Sequence, residues 1–353
     1  MSRYMNHYYD GLKPYVPGEI PQDPNTIKLN TNESPYPPSK GVCRCFTPEN
    51  AEKLRLYGDP ANRQLNRAIA GYHHIRPENV ITTGGSDETL ELAMMAYCAD
   101  GIAYPDETYG FYRVLTDLHQ IPVRIIPLKE DLSIDPDDYE NLGCAVIFAN
   151  PNAPTGLYLN TEQVEKILRS NPDHVVIVDE AYVDFGNESM IPLIHQYDNL
   201  LVIQTYSKSR NLAGARIGFA AGNEELIKDL EKLRNSRNPY DVTRISQLAG
   251  VKAIEDSEYY RSTCEKTVEI REWTKRQLKE LGFSGTDSQT NFVFVKHETI
   301  PGEMIQKKLK EKGILVRWFD HERIREYNRI SIGTREDMEL LIKALKEICD
   351  ENG

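Results

Sequence analysis

The chain has 353 residues, 40% of them hydrophobic, which suits about two domains with real cores and excludes a disordered chain. With 42 Lys and Arg against 54 Asp and Glu, the net charge of −12 repels phosphate backbones, so nucleic acid is not an expected partner. No run approaches the ~18 apolar residues of a membrane span, the tyrosine-rich start has no leader-like apolar stretch, and the six scattered cysteines form neither a disulfide framework nor a zinc pattern. A cytoplasmic protein without membrane contact or bound metal is expected.

Residues 1–45 hold prolines at 14, 17, 21, 24, 35, 37 and 38, which break helix and strand periodicity and predict an extended arm. From about 46 to 245, short apolar runs alternate with amphipathic stretches. Asn79-Val-Ile-Thr-Thr precedes a helix with Leu90, Ala93, Met94 and Tyr97 on one face, and further runs start at Ala145, Val175, Leu200 and Ile217. Continuous apolar strands between helices predict a mostly parallel sheet covered on both faces, an α/β domain. Residues 246–353 predict a smaller α+β domain: a long charged helix from Lys252 to Leu281, strands at Asn291, Ile314 and Arg329, a helix near 301–312 and a last one from about 335.

Four loops follow predicted strands, where open α/β sheets place their ligands. Thr82-Thr-Gly-Gly-Ser-Asp-Glu offers free amides and a helix N-terminus at Ser86 and Asp87, fit for an anion. Asn150-Pro-Asn-Ala-Pro-Thr-Gly is a stiff loop into the same crevice. Asp179 ends an otherwise apolar strand, with Tyr182 just beyond; an acid there is costly without a cationic partner. Lys208 follows another strand, between Ser207 and Ser209, with Arg216 eight residues on. Each loop alone has an ordinary structural explanation. Together they supply an amine for a Schiff base, a carboxylate for a pyridinium nitrogen and a cradle for a phosphate ester, which are the needs of pyridoxal phosphate.

The chain resembles the fold-type I aminotransferases, and among them the histidinol-phosphate aminotransferase family. The resemblance runs from Leu12-Lys-Pro-Tyr and Leu29-Asn-Thr-Asn-Glu-Ser-Pro through Gly85-Ser-Asp-Glu, Tyr109-Gly, Pro154-Thr-Gly, Asp179-Glu-Ala-Tyr, Ser207-Lys and Leu212-Ala-Gly-Ala-Arg to Pro239-Tyr-Asp-Val and Arg329-Ile-Ser-Ile-Gly-Thr. It implies a seven-stranded sheet in the larger domain, a Schiff base on Lys208, a ring-nitrogen contact from Asp179, ring stacking by Tyr109 and a hydrogen bond from Tyr182 to O3′. The phosphate contacts it implies are Ser207, Arg216 and the amides of Ser86 and Asp87, with Tyr57 reaching over from the partner of a homodimer. Arg329 becomes the main clamp for substrate anions, Arg317 and Arg335 further candidates, and Tyr15 and Tyr240 close the pocket.

One position departs from the family pattern. Ala153 stands where the family commonly has an Asn that bonds O3′, and Asn152 replaces it only if the loop shifts. The implied reaction passes an amino group from a phosphate-ester amine, histidinol phosphate, to a 2-oxo acid, 2-oxoglutarate. A threonine-phosphate decarboxylase, an aromatic amino acid aminotransferase and a cofactor-binding protein without turnover remain alternatives.

Overall fold

The computed structural model describes residues 2–352. Its strands are β1 (Ile27–Leu29), β2 (Val80–Thr83), β3 (Ile102–Pro105), β4 (Val123–Ile126), β5 (Ala145–Ala149), β6 (Val176–Asp179), β7 (Leu200–Thr205), β8 (Gly218–Gly222), β9 (Phe283–Gly285), β10 (Phe292–His297), β11 (Ile314–Trp318) and β12 (Asn328–Ser331). Seven of them form one sheet in the order β2-β8-β7-β6-β5-β3-β4. Only β8 runs antiparallel to its neighbours. The ends of β2, β3, β5, β6 and β7 therefore lie along one edge, together with the start of β8.

The apolar runs are buried on both sides, for the reason their sequence suggests. Alternate residues of a strand point to opposite faces. Val146 and Phe148 of β5 and Val176 and Val178 of β6 enter one hydrophobic cluster, whereas Ile147 and Ile177 enter the other. Each such side chain contributes about 1.5 to 3 kcal/mol when fully buried. Two strands of this sheet are absent from the sequence reading, β3 and the edge strand β4, whose central residues Arg124 and Ile125 are exposed. A half-exposed edge does not need an apolar run.

The second sheet has the order β1-β11-β12-β10-β9. Its cluster joins Val293, Ile314, Val316 and Ile330 to Ile270, Leu309, Met338 and Leu345 of the covering helices. Two sequence expectations need correction. The stretch 1–45 is not all extended arm, because β1 pairs parallel with β11 and Lys40–Cys43 is helical. The long helix through 252–281 is two, Arg244–Glu255 and Ser257–Glu280, broken at Asp256. The Asp256 carboxylate accepts the Gly41 amide at 3.1 Å, a tertiary bond that helical periodicity does not reveal. Among the described residues, no helix is long and apolar enough to cross a membrane.

Candidate active site

At the shared strand edge, the helix Ser86–Tyr97 opens directly after β2. Among the described residues, the amides of Ser86 and Asp87 donate to no acceptor. Gly85 has φ +111°, and a Cβ there would come within 2.6 Å of Arg216 Nη2; one on Gly218 would come within 2.2 Å of the Ser86 nitrogen. Side chains are thus excluded from a cup of free amides with a guanidinium on its rim, the usual form of an anion site. Arg216 Nη2 donates to Asp87 Oδ2 at 3.2 Å, and Tyr109 Oη donates to Asp87 Oδ1 at 3.0 Å. Ser207 lies two residues past β7, its Oγ accepting from Thr205 Oγ1 at 3.0 Å.

Asp179 is buried at the end of β6. Tyr112 Oη donates to its Oδ2 at 2.8 Å and the Ala181 amide to its Oδ1 at 3.1 Å. Burial pushes its carboxyl up to about 6, and these two bonds pull the other way. It has no cationic hydrogen-bond partner among the described residues, so it is a carboxylate held in place with its charge only partly compensated.

Lys208, three residues past β7, donates from Nζ to the Thr31 carbonyl at 3.1 Å and lies 6.0 Å from the centre of the Tyr182 ring. Burial, and then the nearby Arg329, push its ammonium down to about 8. A lysine so tuned has an appreciable free-amine fraction near neutrality, as a nucleophile requires. Tyr182 Oη accepts from Asn32 Nδ2 at 3.0 Å. Asn32, at φ 56°, is itself locked: its amide donates to Ser331 Oγ at 2.8 Å and its carbonyl accepts from Asn291 Nδ2 at 2.9 Å.

Next to this cluster opens a cavity of about 1010 Å³, walled by Tyr15, Glu107, Tyr109, Ala153, Arg317 and Arg329 among others. Arg317 and Arg329 are cross-strand partners on β11 and β12. Like charges facing each other are destabilising, and neither arginine has a carboxylate partner among the described residues. Arg329 Nη2 donates to the Asn30 carbonyl at 3.1 Å, while its buried Nε has no partner. Burial holds this guanidinium below its usual range. Two facing cations with an orphaned donor make a site for an anion.

The structure thus brings Ser86, Asp87, Tyr109, Asp179, Tyr182, Ser207, Lys208 and Arg216 to one strand edge, with Tyr15, Arg317 and Arg329 in the adjoining cavity. Within one chain it does not bring Tyr57 or Tyr240 there. They stack on each other with centroids 4.3 Å apart, 76% and 45% exposed. Arg335 pairs with Glu339 at 2.8 Å and covers the Trp273 ring, a surface ion pair. Asn152 is spent elsewhere, donating to the Glu107 carbonyl at 3.0 Å and accepting from Thr108 Oγ1 at 2.9 Å. Ala153 itself packs in one cluster with Tyr182.

Sequence reasoning assigned no role to Asn32 or Tyr112. Asn32 lies in the quoted Leu29–Pro35 segment, but its partners are some 300 and 150 residues away in sequence. Tyr112 reads as one more apolar position of the helix Phe111–His119.

The sequence profile of aminotransferase class I and II matches residues 24–345. The histidinol-phosphate aminotransferase of Marinomonas sp. is 49% identical over 353 residues, covering 99% of this chain and 100% of its own. That of Brachyspira hyodysenteriae is 47% identical over 351 residues, 99% of each chain. In fold, the chain is similar to the histidinol-phosphate aminotransferase of Sinorhizobium meliloti solved in complex with pyridoxal-5′-phosphate, with a TM-score of 0.83 at 23% identity over 93% of this chain and 92% of that one. A strand-edge lysine, a buried carboxylate and an anion cup are thus found in a sequence that matches such relatives from end to end, and this chain belongs to the class I and II aminotransferases and, within them, to the histidinol-phosphate aminotransferase family.

Proposed function

We propose that this protein is a pyridoxal phosphate-dependent aminotransferase that moves the amino group of histidinol phosphate to 2-oxoglutarate. The observation that carries the substrate assignment is the facing pair Arg317 and Arg329, with no carboxylate partner and a buried Nε unpaired among the described residues. Both proposed substrates carry an anion at the required place, a phosphate ester in one and a carboxylate in the other, and a guanidinium donates to either in bidentate fashion.

The donor set fits the cofactor. The glycine-lined cup of Ser86 and Asp87 amides, with Ser207 and Arg216, suits its phosphate. Asp179 suits its ring nitrogen, Tyr182 its phenolic oxygen, Tyr109 its ring face and Lys208 its aldehyde. When bound, the group supplies a carbonyl carbon that takes up the substrate amine and a ring that accepts electrons from Cα. Lys208 Nζ, its proton affinity lowered by burial and Arg329, takes the proton from substrate Cα. Asp179, oriented by Tyr112 and the Ala181 amide, keeps a proton on the ring nitrogen. Tyr182, oriented by Asn32, holds its phenol proton toward the oxygen that Ala153 leaves unserved. Arg329 and Arg317 fix the substrate anion and with it the direction of the Cα–H bond.

A homodimer is part of the proposal. Tyr57 and Tyr240 stack on each other at the surface, exposed and outside the cup of their own chain, and from there Tyr57 serves the partner's phosphate cup. A cytoplasmic location, as expected of a biosynthetic enzyme, and a division into two domains belong to the same reading. The proposed division is a large domain at 46–245 and a smaller one at 246–353, packed against each other through Ala249, Val251, Ala253, Tyr260 and Phe294, which share the larger sheet's cluster.

The test is to incubate the pure protein with its cofactor, histidinol phosphate and 2-oxoglutarate. Glutamate is expected in step with amine consumed. Carbon dioxide from threonine phosphate, without glutamate here, would replace this reading with a decarboxylase.

A further inference from the structure

Glu107 follows β3 on the wall of the same cavity as Arg329, Tyr15 and Tyr109. It is only 8% exposed, and its place is set by the main chain, since its carbonyl accepts the Asn152 side chain at 3.0 Å. Its Oε2 lies 3.2 Å from His321 Nδ1. Its Oε1 has no hydrogen-bond partner among the described residues. The cation nearest in sequence to His321 is already engaged: Arg323 donates to Asp106 at 2.5 Å and to the carbonyls of Leu128 and Lys129. Glu107 is therefore a nearly buried carboxylate in the substrate cavity, with one oxygen free and the other already holding an imidazole. That imidazole is loosely kept, for the His321 side chain is 66% exposed.

One cavity that serves both proposed substrates must take an imidazole ring and a distal carboxylate in turn. An imidazole N–H is a natural donor to Glu107, and exchanging His321 for the substrate's ring conserves the bond. A bare Glu107 would repel a distal carboxylate, whereas a Glu107 covered by the His321 ring no longer presents an open carboxylate to it. We propose that Glu107 is a specificity-determining residue for the amine substrate, accepting a hydrogen bond from its imidazole ring, and that His321 returns to cover Glu107 and face the distal carboxylate when the 2-oxo acid binds. The inference rests on the function proposed above.

The test follows both half-reactions of the holoenzyme by stopped flow, with histidinol phosphate and with 2-oxoglutarate, separating apparent affinity from limiting rate. Glu107→Gln should weaken histidinol phosphate by roughly 10-fold, as expected when a hydrogen bond to a charged acceptor becomes one to a neutral amide oxygen. Its limiting rate should change far less, and 2-oxoglutarate should bind as well or better. His321→Ala should do the reverse, weakening 2-oxoglutarate by several-fold without weakening the amine. A general structural role would move both substrates together in both variants, and that result overturns the inference, as does a Glu107→Gln enzyme within twofold of wild type for the amine. A wild type inert toward histidinol phosphate overturns the proposed function and this inference with it; an active wild type with an indifferent Glu107→Gln overturns this inference alone.

Discussion

The strand edge and the cavity beside it are built on different principles. At the strand edge, Asp179 has two donors and Tyr182 is tied to Asn32. Both groups stand within a few residues of the rigid strand β6. In the cavity, Arg317 faces Arg329 across two strands of the other sheet, Tyr15 comes from the N-terminal segment and Glu107 from the loop after β3. Its charges are left open. On the proposed roles, groups that would handle the same cofactor in every turnover are fixed beforehand, whereas groups that would meet two different substrates are left partly unsatisfied, so that each substrate completes them.

The sharpest break of this contrast lies at its fixed end. Lys208→Ala should reduce turnover to background, since among the described residues no other lysine stands in the cluster. Borohydride treatment of the wild type with cofactor should abolish its visible absorption band and label the peptide containing Lys208. A label on another lysine would dissolve the proposed site.

Asp179→Asn should keep much of the cofactor affinity and lower the rate constant by on the order of 10²- to 10⁴-fold, because an amide cannot hold the ring-nitrogen proton by charge. The same variant has a second, opposite effect in the protein without cofactor. Burial raises the folded carboxyl from 3.8 to about 6, so its protonated form favours folding and stability falls as pH rises from about 4 through 6. Asp179→Asn should therefore raise the thermal midpoint of the cofactor-free protein at pH 8, by on the order of 2 to 3 kcal/mol in stability, and not at pH 4. Equal midpoints at pH 8 would show that the carboxylate is better compensated than its partners suggest.

The open end should respond in affinity. Arg329→Ala should weaken the anionic group of both substrates by about 2 to 5 kcal/mol, visible in both half-reactions. A loss confined to one half-reaction would make Arg317 the shared clamp and Arg329 a selective one.

The smallest effect is expected where the two regions meet. Ala153 lines the cavity and packs with Tyr182. Ala153→Asn should shift the pH midpoint of the visible band downward, an effect worth about 1 kcal/mol at most, because an added donor would stabilise an anionic phenolic oxygen. An unchanged titration would mean that the amide turns toward the cavity and away from the cofactor.

The legible parts of this protein share a physical cause. A strand buried on both faces must be largely apolar, so Asp179 and Lys208 stand out as the first charged residues after such runs, and Gly85 marks a backbone turn that side chains cannot make. These are local constraints, and a single sequence displays them. The charged stretch at 252–281 shows the limit, since its periodicity continues through Asp256, where the helix breaks and the carboxylate accepts the Gly41 amide.

By itself, the sequence determined the α/β architecture, the strand-end position of the lysine and carboxylate, and the family. Tertiary structure alone decided that β1 joins the second sheet, that Tyr112 and Asn32 orient Asp179 and Tyr182, that Asn152 turns away from the site, and that Arg317 faces Arg329. It also decided that Tyr57 and Tyr240 meet each other at the surface. The reason is that a strand or a turn is encoded by residues a few positions apart, while a hydrogen bond between Asn32 and Ser331 depends on how two sheets and the N-terminal segment pack, and no short-range pattern carries that information.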